Sequence, residues 1–151
     1  MKDSFDGGNE MRYKDKEVRN LCHGVKERDK IAIKEMAEYF INLGIVKANS
    51  ILIPAPQHEG YAIYTKEIAE IVAKEKNAKV CDVLKCKPHE MLYEQKKKGR
   101  IVTPELFITE QIIMCDNVFF LDNVMDTGVT YTTANKLFNG KLKPLVYATT
   151  Q

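Results

Sequence analysis

From Asp29 onward, the segment DKIAIKEMAEYFINLG sets Ile33, Met36, Ala37, Phe40 and Ile41 at helical spacing. This predicts a helix with one core-facing side, which Asp29 can cap and Gly44 can end. The short apolar run SILIP, stopped by Pro54, predicts a strand. In YTKEIAEIVAKEKN, Tyr64, Ile68, Ile71 and Val72 line one face of a second helix. AKVCDVL predicts a second strand, after which apolar periodicity fades across Lys85 to Glu110, a charged stretch containing Pro88 and Pro104. NVFFLD is continuously apolar until its last residue, the pattern of a strand buried on both faces of a parallel sheet. TYTTANKLF then fits a short helix and KPLVYAT a last strand. Strands alternating with helices predict an α/β domain, doubly wound, with a mainly parallel sheet and flanking helices. Residues 1–28 carry the least pattern and are expected to be a partly ordered arm or hood, with a single domain over 29–151.

Composition narrows the function classes. A chain of 151 residues closes one core comfortably, and its longest apolar runs fall far short of the roughly 18 residues of a membrane helix. The segment after Met1 is polar throughout, without the apolar middle of an export signal, so a cytoplasmic location and no membrane partner are expected. A net charge of +2, with lysines dispersed apart from KKKGR at 96–100, gives no bulk attraction for nucleic acid. Any anion is held locally. Cys22, Cys81, Cys86 and Cys115 form no close metal-type pairs and, without an export signal, read as reduced core thiols; Cys81, Cys86 and His89 lack a fourth ligand for zinc.

The candidate chemistry sits in VFFLDNVMDTGVTY, where the apolar strand runs into an acidic turn. Ligands of open parallel sheets bind at the carboxyl ends of strands, which is where Asp122 to Thr130 falls. Gly128 lets the amides around Val129 approach an anion, Thr127 and Thr130 offer hydroxyls, and the next helix points its positive end at the same place. Asp122 and Asn123 can bond sugar hydroxyls, and Asp122 can support magnesium through its water shell. Turn chemistry alone admits a plainer reading, in which Asn, Asp and Gly serve geometry and Thr serves capping.

This stretch, with four apolar residues, Asp122 and Asn123, two apolar residues and then DTGVT, resembles the phosphoribosyl pyrophosphate signature of type I phosphoribosyltransferases. The resemblance extends over residues 29 to 150. It implies that Ala55, Pro56, Gln57 and His58, in PAPQHEGYA, form the pyrophosphate loop, and that a mobile hairpin occupies about Lys87 to Glu110. LIPAP and LYEQKKKGR are most similar to the competence-associated branch of that family, whereas DTG is more like the purine-salvage branch. Two departures stand out: the second acidic position is Asn123, and the pyrophosphate loop carries no arginine or lysine.

The resemblance implies a magnesium-dependent transfer of ribose 5-phosphate from phosphoribosyl pyrophosphate to a small-molecule nitrogenous base, and it admits a homodimer. Asp126, Thr127, Gly128, Val129 and Thr130 would hold the 5′-phosphate, and Asp122 with Asn123 the ribose. Asp126 would also steer a proton on the base, or serve simply as a helix-start cap. Lys96, Lys97 and Arg100 would neutralise the leaving pyrophosphate from the hairpin. The alternative is a regulator of the same fold that binds phosphoribosyl pyrophosphate or a nucleotide without turnover.

Overall fold

The computed structural model describes residues 10–89, 97–99 and 104–150. Its main sheet has five strands, all parallel, in the order β1-β7-β6-β2-β3, where β1 is Met11–Arg12, β2 Ile51–Pro54, β3 Lys79–Val80, β6 Val118–Met125 and β7 Lys143–Thr149. A separate antiparallel ribbon pairs β4 (Leu84–Cys86) with β5 (Leu106–Ile108). The described helices are α1 (Lys16–Lys26), α2 (Lys30–Asn42), α3 (Tyr64–Lys76) and α4 (Val129–Leu137). None of them is long and apolar enough to cross a membrane.

Sheet order and helix placement follow one rule. The chain leaves β2 for β3 on one side, and leaves β6 for β7 on the other. Right-handed crossovers in opposite directions put their helices on opposite faces. Accordingly Ile68, Ala69 and Val72 of α3 join Ile33, Met36 and Phe40 of α2 on one face, against Leu52, Phe119 and Leu121. Tyr131 and Ala134 of α4, with Phe138, cover the other face against Ile53, Phe120 and Val146. This is an α/β architecture compatible with the doubly wound plan.

Several local expectations hold. Asp29 caps α2, its carboxylate accepting from the Ile31 and Ala32 amides at 2.9 and 3.4 Å. The last strand spans KPLVYAT, and the apolar strand runs on past Asp122 to Met125.

Others need correction. Residues 16–26, expected within an arm, form α1, whose Val18, Cys22 and Val25 are buried in the same core as α2. Their spacing of four and three residues is helical, but the charged residues between them hid it. AKVCDVL is not one strand: β3 stays in the main sheet, Asp82 interrupts, and β4 leaves for the ribbon. Helix α3 buries Thr65, Ala69 and Ala73 beside Ile68 and Val72, while Ile71 is exposed. Small residues suit the close approach of helix to sheet. Cys22, Cys81 and Cys86 are buried free thiols, as expected, but Cys115 is exposed.

Candidate functional site

The strand order reverses between β2 and β6, so the crevice beyond their carboxyl ends is the switch point where ligands of such sheets bind. The β2 ladder matches Ile51–Pro54 to Val118–Leu121, and beyond that point Asp122 to Met125 ladder with β7 alone. The Ala55 amide closes the junction on Leu121 O at 2.9 Å. Two loops flank the crevice: Ala55 to Ile63, leading into α3, and Asp126 to Gly128, leading into α4.

Asp122 is half-buried, its Oδ1 accepting from the Asn123 amide at 2.8 Å. Desolvation raises its carboxyl from an ordinary 3.8 to about 7, against the opposing pull of that hydrogen bond and of Lys26 on α1. The same carboxylate acts on its neighbours. Burial raises the Cys22 thiol to about 12, with Lys26 opposing and Asp122 adding, and it raises the Tyr64 phenol further still, with Asp122, Glu59 and Cys22 adding. Helices α1 and α3 therefore face Asp122 with a thiol and a phenol that stay neutral, and α1 adds the Lys26 cation. Asn123 is 3% exposed and its Nδ2 has no hydrogen-bond partner among the described residues. A buried amide left in that state costs about 1–3 kcal/mol, which a bound acceptor would recover.

The turn after β6 is built on Gly128, which opens α4 from the left-handed region at φ 83° and is buried there. A side chain would strain that conformation. Thr127 Oγ1 accepts from the Val129 amide at 3.3 Å. The N-cap of α4 is Gly128, which has no side chain to cap with; the exposed carboxylate of Asp126, two residues earlier, accepts from Thr150 Oγ1 at 2.5 Å, on the β7 side. Thr127, Gly128 and Val129 border an open hollow of about 280 Å³, together with Thr132, Thr133 and Lys136. Sequence reasoning overlooked these last three, although positions 129, 132, 133 and 136 share one helical face. Thr130 is half-buried in the first turn of α4. Neither Asp122 nor the Ala55–His58 loop lines the hollow. The two halves of the expected site flank the same strand end, and this hollow takes in the Thr127–Val129 half alone.

In the β2–α3 loop Ala55 is buried and Pro56 half-buried. Gln57, expected to touch substrate, is 8% exposed and bonded internally: Nε2 donates to Ala55 O at 2.9 Å, and Oε1 accepts from the Ile63 amide at 2.5 Å. Its amide is committed to the loop. His58 keeps a partly open ring, with Nδ1 against His89 O at 3.2 Å and Nε2 3.5 Å from Glu59 Oε1. Lys97 is exposed, whereas Lys96 and Arg100 lie outside the described residues. The hairpin was expected over Lys87 to Glu110, which starts directly after β4 and includes β5; residues 90–96 and 100–103 of that stretch are likewise outside them.

No protein-family model, curated protein or solved structure matches this chain. The functional reading therefore rests on the sequence motif and its place in the fold. Among the described residues no group of three or more His, Cys, Asp or Glu could hold a metal ion. Asp122 at the strand end, with Glu59 and Asp126 on the two loops, offers oxygen donors of the kind that suit the water shell of a magnesium ion.

Proposed function

We propose that the chain is a phosphoribosyltransferase, transferring ribose 5-phosphate from phosphoribosyl pyrophosphate to a nitrogenous base with release of pyrophosphate, on a type I phosphoribosyltransferase-like fold. The observation that carries this reading is the position of LDNVMDTGVT at the switch point, with Asp122 beside the end of β2 and the Gly128 turn opening α4. Magnesium, when bound with the diphosphate, would offset its negative charge.

The chain's own residues supply position and electrostatics. The Thr127 to Thr130 turn, with the positive end of α4 behind it, suits the 5′-phosphate. Asp122 and Asn123 suit the ribose: the carboxylate accepts from hydroxyls, and the unpartnered Asn123 Nδ2 has a donor to give. The chemistry asks for little covalent help, since a nitrogen nucleophile attacks the anomeric carbon as pyrophosphate leaves, and orientation provides much of the rate. Asp126 and His58 are open enough to meet a base and a pyrophosphate respectively.

A regulator that binds phosphoribosyl pyrophosphate without turnover is the second reading. It is favoured by Asn123, which replaces a carboxylate by a neutral amide, and by a pyrophosphate loop without arginine or lysine. Pyrophosphate release with a panel of purine and pyrimidine bases, magnesium and phosphoribosyl pyrophosphate separates the two. Release with any base establishes the transferase. Saturable binding with no release under any base establishes the regulator.

A further inference from the structure

Gln57 does more than sit inside its loop. Its amide reaches both ends of the turn, Ala55 O on one side and the Ile63 amide on the other. Thr65 Oγ1, on the first turn of α3, donates to the same Ala55 O at 2.6 Å and lies 3.3 Å from Gln57 Oε1. The main chain completes the closure, the Gln57 amide donating to Tyr61 O and the Gly60 amide to Gln57 O, both at 2.9 Å. The closed loop lies along the edge of β4 that β5 leaves unpaired. The Cys86 amide donates to Gly60 O at 2.9 Å, the Cys86 thiol to Gln57 O at 3.3 Å, and the His89 amide to His58 O at 2.9 Å. Gly60 makes the approach feasible: at φ +115° a Cβ there would stand 2.9 Å from Cys86 O.

We propose that Gln57 is a positioning residue, whose side-chain amide holds the β2–α3 loop as an added rung on β4, so that the switch-point crevice and the β4–β5 ribbon move as one unit. The consequence for a ligand rests on the reading under Proposed function: a pyrophosphate group on this loop would be registered at Cys86 and His89. A loop without lysine or arginine has His58 and its backbone N–H groups to hold an anion, and the N–H groups are effective only when their directions are fixed in advance.

Amide hydrogen exchange on the unliganded full chain tests the coupling. Gln57→Glu keeps the acceptor for Ile63 but turns a carboxylate oxygen toward Ala55 O. Exchange at Ile63, Cys86 and His89 should rise together by at least about tenfold, while α2 and β6 keep their protection. Lowering the pH protonates the introduced carboxylate, which restores a donor toward Ala55 O, and should reverse the effect relative to the parent, which a merely misfolded loop would not do. Gly60→Ala, pushing from the ribbon side, should speed exchange at Ile63 as well as at Cys86. Faster exchange at Ile63 with Cys86 and His89 unchanged, or no change in either variant, would overturn the proposal. Phosphoribosyl pyrophosphate with magnesium should slow Cys86 and His89 in the parent. Binding seen by calorimetry without that slowing refutes the transmission, whereas coupled exchange without binding leaves the unit intact and removes the substrate reading.

Discussion

Asp122→Asn should stabilise the fold at pH 8 while removing ligand recognition. The folded state raises this carboxyl from 3.8 to about 7, so between those values it holds a proton that the unfolded chain releases. Binding more protons when folded means that stability falls as pH rises through this window, and the loss is complete above about pH 7. At about 1.36 kcal/mol for each tenfold change in proton affinity, the full penalty is at most about 4 kcal/mol. Asp122 is half-buried rather than sealed, and water screening brings the expected value to about 2 kcal/mol. The amide retains the acceptor for the Asn123 N–H, so that hydrogen bond survives the change. Urea unfolding of parent and variant at pH 5 and pH 8 reads the effect, because differences between the two proteins cancel every other titrating group. The variant should gain more at pH 8 than at pH 5. If the substrate reading holds, its catalytic efficiency should also drop at least about a hundredfold, roughly 2.7 kcal/mol of transition-state stabilisation. A neutral or destabilising effect at pH 8, or a gain that does not grow with pH, would refute the electrostatic argument.

Further variants probe the neighbouring residues. Gly128→Ala forces an L side chain to φ 83° and should cost about 1–2 kcal/mol by thermal unfolding, with loss of protection by phosphoribosyl pyrophosphate. Asn123→Asp places a second carboxylate at a 3% exposed site next to Asp122 and should destabilise by at least about 2 kcal/mol at pH 8, with a smaller effect at pH 5. Asp29→Ala removes the α2 cap, at a cost of about 1 kcal/mol in urea unfolding, and should leave ligand binding untouched.

Elements with strong local signals were legible in the sequence. Helix α2 has a capping aspartate and a clean apolar stripe, and β6 and β7 are nearly continuous apolar runs, so pattern alone placed them. The candidate turn was legible for the same reason, as an acidic and hydroxyl-rich break directly after a buried strand. Helix α1 was not, because Val18, Cys22 and Val25 are three apolar positions in a charged surround, and their meaning depends on the core they meet. The split of AKVCDVL into two sheets depends on where β5 returns, which is a long-range pairing with no local mark. The internal role of Gln57 was hidden because an exposed-looking polar residue in a loop reads as available, and only the folded turn shows both ends of its side-chain amide already engaged. The burial of Asn123 was hidden likewise, since β6 continues beyond the point where its apolar run breaks.

Calorimetric titration of the full chain with phosphoribosyl pyrophosphate and magnesium at pH 8, beside the Gly128→Val variant, addresses the switch-point site most directly. Saturable binding by the parent, abolished in the variant while its circular dichroism stays native, is the predicted result; at a hundredfold excess over Kd the same ligand should add about 2.7 kcal/mol of stability. Absence of heat at millimolar ligand, or equal binding by parent and variant, would contradict the assignment of the β6–α4 turn as the phosphate site.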